Sequence, residues 1–200
     1  MAVTKITEIS VCLAKLYFAV LLEHVRTELG KAEADRDITI RYGELVRRTK
    51  EKYPDAPYIE AAIPVNIGKR LLVVEMICQR LSLPNLACLA VNGQGRPGEG
   101  YTGDWEADKA AILAFDWDAA SADVHHAFEL ETAAARKRAR TERRRKLPES
   151  EARDLYWEAY KADRASYDGK VDLEGKEAMI KLLMRGFPIE EAFNEVVEQE

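Results

Sequence analysis

Few residues in this chain are equipped for bond-making chemistry. Three cysteines, Cys12, Cys78 and Cys88, and three histidines, His24, His125 and His126, are its whole supply of thiols and imidazoles over 200 residues. Each cysteine sits in an apolar segment, no CxxC spacing occurs and the count is odd. That pattern points to reduced, buried thiols in a reducing compartment, not to a disulfide frame or a zinc site. His24 lies on or beside an apolar helical stripe and reads as a hydrogen-bonded edge residue. His125 and His126 stand at no recognisable ligand spacing. Asp116 and Asp118 flank Trp117, but two acids without a third ligand or a suitably placed glycine make no calcium-type site. The sequence carries no P-loop, dinucleotide fingerprint, HExxH or Ser/His/Asp set. No cofactor, no metal and no enzymatic activity are expected.

Charge is the remaining chemistry. The formal net charge of −5 hides an asymmetry, because Arg136, Lys137, Arg138, Arg140, Arg143, Arg144, Arg145 and Lys146 place eight cations in eleven residues against the single acid Glu142. From Glu149 onward fourteen acids face seven bases. A partner feels this local field and not the overall balance. Arginine predominates in the run and forms bidentate contacts with phosphate or carboxylate groups. The run either meets an anionic partner or is a solvated connecting helix partly neutralised by the acidic residues that follow it.

The elements that must carry these groups follow from apolar spacing. Ile6, Ile9, Leu13, Leu16, Tyr17, Val20, Leu21, Val25 and Leu29 recur every three or four residues, predicting an amphipathic helix over Thr4–Leu29 that closes at Gly30 and covers a small domain. A second helix is expected over Tyr42–Tyr53. Pro54, Pro57 and Pro64 make the next stretch irregular. A third helix, Asn66–Leu81 with Asn66 as its cap, carries Lys69 and Arg70 in its first turn. Leu83–Asn92 reads as a buried strand that leads into a loop holding Gly93, Gly95, Gly98, Gly100 and Gly103. Arg96 and Glu99 either close a salt-linked turn or leave Arg96 at the loop tip to touch phosphate. Asp104–Trp117 is expected to be helical. After Leu130 nothing larger than alanine or threonine interrupts the charges until Leu147, so Glu131–Lys146 is expected to project without a packed face. Pro148–Tyr167, Leu173–Arg185 and a last helix from Pro188 form an acidic module.

Helix, helix, strand and glycine loop in that order suggest a winged-helix type of module, whose second helix reads a groove with its N-terminal side chains. Ile-Arg-Tyr-Gly-Glu-Leu (Ile40 to Leu45), a helix, and then Leu-Pro-Asn-Leu-Ala-Cys-Leu-Ala-Val-Asn-Gly-Gln-Gly-Arg-Pro-Gly-Glu-Gly-Tyr-Thr-Gly (Leu83 to Gly103) resemble the winged-helix DNA-binding domain of alkylguanine-DNA alkyltransferases and alkyltransferase-like proteins. The resemblance covers about a third of the chain. It sets Cys88 on the family's reactive cysteine and Val91 on its valine, but Ala87, Leu89 and Ala90 replace the proline, histidine and arginine. Without that histidine nothing lowers the thiol pKa, so Cys88 is expected to be a packed core thiol and not a nucleophile. What the resemblance implies is a DNA-facing architecture without the transfer reaction. The Gly-Arg-Pro-Gly-Glu-Gly-Tyr loop with its following Phe-Asp-Trp also resembles a pattern in uncharacterised phage and mobile-element proteins.

The expected molecule is mainly α with a small β wing. A winged-helix-like domain with an N-terminal covering helix spans residues 1–117, a basic connecting helix 118–147 and an acidic helical module 148–200. It binds nucleic acid or a nucleoprotein complex through Lys69, Arg70, Arg96 and the basic run. The competing readings are a mobile-element inhibitor of a host defence protein, anti-CRISPR-like in action, and a non-enzymatic sensor of alkyl damage. A homodimer through the C-terminal module is a further expectation. Apolar segments are too short for a membrane span and Glu8 is incompatible with a secretory signal, so a cytoplasmic protein with no membrane partner is expected.

Overall fold

The computed structural model describes residues 6–117, 121–139 and 146–197. The chain is mainly helical, with one two-stranded parallel sheet among the described residues, and it divides into two compact units. The first comprises residues 1–59 and 67–139, the second residues 60–66 and 140–200. This partition differs from the sequence expectation twice. The described part of the expected connector, residues 121–139, belongs to the first unit, and the proline-rich segment 60–66 joins the second.

In the first unit, α1 (Glu8–Leu29) begins where the Thr7 hydroxyl accepts the Ser10 amide at 3.1 Å, so the expected start at Thr4 moves to the capping residue. Its buried residues include Ile9, Val11, Leu13, Tyr17, Phe18, Val20, Leu21 and Val25, which occupy most of its circumference. Glu23, Arg26 and Thr27 are exposed, so α1 keeps a solvent-facing side opposite this broad buried face. It packs on α2 (Tyr42–Lys52), α3 (Ile67–Arg80) and α5 (Ser121–Ala139). Between them lie β1 (Ile40–Arg41), β2 (Ala90–Val91) and α4 (Trp105–Ala114).

The expected strand over Leu83–Asn92 is mostly something else. Asn85 caps a 3-10 turn, Leu86–Leu89, by accepting the Ala87 amide at 3.1 Å, and only Ala90 and Val91 extend the chain. β1 and β2 run parallel in the register Ile40 to Ala90 and Arg41 to Val91. The glycine loop that follows contributes no strand.

The second unit contains α6 (Glu149–Ala162), α7 (Arg164–Tyr167), α8 (Leu173–Met184) and α9 (Ile189–Val196). The single helix expected over Pro148–Tyr167 breaks at Asp163, whose side chain caps α7. Asp172 caps α8 by accepting the Gly175 amide at 2.7 Å. α6, α8 and α9 pack on one another around Tyr156, Met179, Leu182, Leu183 and Ala192. Segment 60–66 is fastened to this bundle. Asn66, expected as a helix cap, instead donates its side-chain amide to the carbonyls of Ala61 at 3.2 Å and Glu195 at 2.7 Å. Arg185 pairs with Glu60 at 2.8 Å.

Candidate nucleic-acid interface

The glycine loop is held at its base by three kinds of bond. Asn92 closes its first turn: its carboxamide oxygen accepts the amides of Gln94 at 2.8 Å and Arg96 at 3.3 Å, while its own amide donates to the Arg96 carbonyl at 2.8 Å. Gly95 takes φ of +76°, a conformation that L side chains rarely adopt. Farther on, the Gly98 amide donates to the Tyr42 hydroxyl at 2.9 Å, and a Cβ at position 98 would stand 2.8 Å from that oxygen. A side chain there would have to displace the Tyr42 hydroxyl from this bond. At the far end the Tyr101 hydroxyl donates to Asp108 at 2.6 Å, and the Trp105 indole donates to the Cys88 carbonyl at 2.9 Å.

Arg96 is exposed on this anchored loop and forms no ion pair with Glu99 or any other described residue. Arg41, which the sequence reading did not single out, is also exposed and forms no ion pair with a described residue. Because β1 and β2 are parallel, the chain leaves both strands at the same end, so Arg41 and the loop bearing Arg96 emerge together. The signal that would have found Arg41 is its place next to Tyr42, the residue that bonds the loop.

The third helix does not serve as expected. Ile67, Arg70, Leu71 and Val74 lie at positions i, i+3, i+4 and i+7 and share its buried face. Arg70 is 0% exposed and cannot reach a groove from there, which corrects its assignment as a phosphate contact. Lys69 is half-buried. Leu72, at 41% exposed, is the side chain this helix presents most openly among its apolar residues.

α5 also departs from expectation. Glu131, Thr132 and Ala135 are buried, the last at 2% exposed, so the helix is packed well past Leu130. Small side chains make this possible, since alanine and threonine allow close helix approach where larger residues would hold helices apart. Phe128 meets Phe18 of α1 edge-on at 5.8 Å between centroids. Ion pairs flank the helix: Lys15 with Glu129 at 2.6 Å and Arg136 with Glu8 at 2.8 Å tie it to α1, and Arg80 with Glu131 at 3.1 Å ties it to α3. Lys137 and Lys146 are exposed, and neither forms an ion pair with a described residue. The Arg138 side chain and Arg140, Arg143, Arg144 and Arg145 lie outside the described residues.

Cys78 and Cys88 are buried as expected, whereas Cys12 is half-buried. Cys88 is 0% exposed, and burial first, with the charge of Asp108 second, pushes its thiol from 9.0 up to about 12. Burial does the same for Cys78. A thiolate nucleophile is thus nearly absent from either position at neutral pH. His24 lies with Nε2 3.1 Å from the Thr39 carbonyl, which assigns the ring proton to that nitrogen. His125 stands beside Lys15 and Glu129, and His126 is exposed. Among the described residues no group of three His, Cys, Asp or Glu side chains could hold a metal ion, and no helix is long and apolar enough to cross a membrane. No family model, curated protein or solved structure matches the chain.

Proposed function

We propose that the protein binds nucleic acid, or a complex of protein and nucleic acid, without transforming it. Two contact sets serve this purpose: Arg41 and Arg96 at the end of the parallel strands, and the arginine-rich run that α5 leads into. The observation that carries the reading is how that run begins. Phe128, Glu131, Thr132 and Ala135 fix α5 in the core, Lys137 is already exposed and forms no ion pair with a described residue, and six further cations follow by Lys146 against one acid. Cations crowded in this way repel one another, and phosphate relieves the repulsion while accepting paired hydrogen bonds from arginine.

A winged-helix-like, DNA-facing character for this unit draws support from the adjacency of the two stretches that resemble the alkyltransferase domain. Ile40 and Arg41 pair in register with Ala90 and Val91, and Tyr42 of the first stretch accepts a hydrogen bond from Gly98 of the second. The inert setting of Cys88 accords with binding and not with alkyl transfer.

The test is titration of the full chain with a short fluorescent duplex and with a single strand across a range of salt. Affinity should fall steeply as salt rises, and the triple variant Arg143→Ala, Arg144→Ala, Arg145→Ala should bind about 30-fold more weakly at about 0.1 M salt. Binding that is absent, or indifferent to salt and to the triple variant, rejects the reading and favours a protein-directed inhibitor. Tighter binding to an alkylated duplex than to a plain one would identify a damage sensor.

A further inference from the structure

The second unit has a face whose chemistry complements itself. On α6, Ser150, Asp154, Trp157 and Lys161 succeed one another at steps of four, three and four and so form one stripe, and all four are exposed. Trp157 remains 40% exposed although the Tyr160 ring stands perpendicular to it at 5.4 Å and the Lys176 ammonium lies over it at 4.4 Å. Lys176 belongs to α8, and one turn before it on that helix Leu173 is 74% exposed. Of the five large apolar side chains that stay exposed among the described residues, these are the two in this unit.

Most charges around the stripe already have partners. Arg153 bonds to Glu149 at 2.9 Å and to Glu177 at 3.1 and 3.2 Å, and Arg164 bonds to Asp168 at 3.0 Å. Asp154 and Lys161 do not: neither forms an ion pair with a described residue. They stand two turns apart, about 10 Å along the axis, too far to reach each other. Glu158 is exposed too but lies off the stripe.

We infer that this face joins two copies of the chain, α6 packing antiparallel against α6 of the partner subunit about a two-fold axis at Trp157. Asp154 is three residues to one side of that axis and Lys161 four to the other. The two-fold therefore sets Asp154 opposite Lys161 of the partner subunit and repeats the pair by symmetry. A parallel arrangement would oppose like charges and is disfavoured. An aromatic centre with matched charges at its rim is the anatomy of a specific interface. The surface is small, so the dimer is weak, with a dissociation constant on the order of 10 µM. This pairing does not depend on nucleic-acid binding, though a dimer would bring two basic runs to one ligand.

Sedimentation equilibrium of the full chain without nucleic acid, from about 1 to about 300 µM, tests it. Wild type should pass from monomer to dimer over that range. Trp157→Ala should weaken association about 30-fold. Asp154→Lys and Lys161→Asp should each weaken it about tenfold, because each opposes like charges. Both reversals in one chain should restore it, and an equimolar mixture of the two single variants should associate as wild type does. The reversals lie at exposed positions and leave folding intact, so they remain decisive even if Trp157→Ala disturbs the aromatic cluster. A wild type that stays monomeric overturns the inference and leaves Trp157 to a different kind of partner. A dimer indifferent to all three substitutions uses another face and overturns it equally. With nucleic acid absent, either result leaves the nucleic-acid reading to its own test.

Discussion

Two helices of the first unit carry clustered cations and use them in opposite ways. In α2, Glu44 and Glu51 stand three and four residues from Arg47, which bonds to both, at 2.7 to 2.8 Å and 2.6 Å. Arg48 also bonds to Glu44 at 2.6 Å, and Lys52 pairs with Glu23 of α1. At the end of α5 Arg136 is engaged by Glu8, Lys137 forms no ion pair with a described residue, and the sequence from there to Lys146 offers one acid, Glu142, among the remaining cations. The number of cations is a poor guide to the field a ligand meets. What decides it is whether acids recur at helical spacing, as they do in α2 and do not after Arg136.

The sharpest test of this contrast lies within α5, where packed residues as far as Ala135 precede the exposed Arg136 and Lys137. Phe128 is 1% exposed and its ring meets Phe18. Phe128→Ala should cost about 3–5 kcal/mol by urea unfolding, from lost burial and the cavity left behind. Lys137→Ala should stay within about 0.5 kcal/mol, as surface changes usually do. Comparable losses at both positions would mean that the exposed end also supports the fold, and the division of α5 into anchor and contact would collapse.

A smaller effect separates engaged cations from open ones. Arg41→Ala and Arg96→Ala should each weaken nucleic-acid binding uniformly across sequences and lower the salt slope by about one. Arg47→Ala and Arg48→Ala together should change affinity less than about twofold, since carboxylates of their own helix already neutralise them. If the second pair matters as much as the first, local neutralisation is the wrong criterion.

The helices were largely legible in the sequence because their apolar residues recur every three or four positions. Capping groups account for several shifted ends: Thr7 moved the start of α1, and Asp163 split one expected helix into α6 and α7. Leu83–Asn92 misled because a short apolar run does not distinguish a strand from a buried turn, and the deciding bond is local, from the Ala87 amide to Asn85. The packing of Glu131, Thr132 and Ala135 was hidden because small and charged residues look solvent-facing until a neighbouring helix approaches. Arg70 failed for a related reason. Its spacing from Ile67 and Val74 is that of a core position, and its charge concealed this. Arg96 and the loop were readable from glycine density, whereas Arg41 required the parallel register to become visible.

The least costly perturbation concerns the carboxylate that organises α2. Hydrogen bonds from Arg47 and then Arg48 outweigh its partial burial and hold the Glu44 carboxyl at about 2, down from 4.5. The folded state thus binds this proton more weakly than the unfolded chain does. The resulting stabilisation is fully present above pH 4.5 and is lost as pH falls through about 2. Its size should be under about 1 kcal/mol, because the pair faces solvent and is screened. Carbon-detected NMR of the Glu44 carboxyl should give a midpoint near 2, and Glu44→Gln should flatten the acid limb of the urea-midpoint profile between 4.5 and 2. Added salt should move the midpoint upward. A midpoint at the ordinary 4.5 would mean that Arg47 and Arg48 are not held by Glu44 in solution. Those arginines would then be as open to an anionic ligand as Lys137, and α2 would have to be counted as part of the interface.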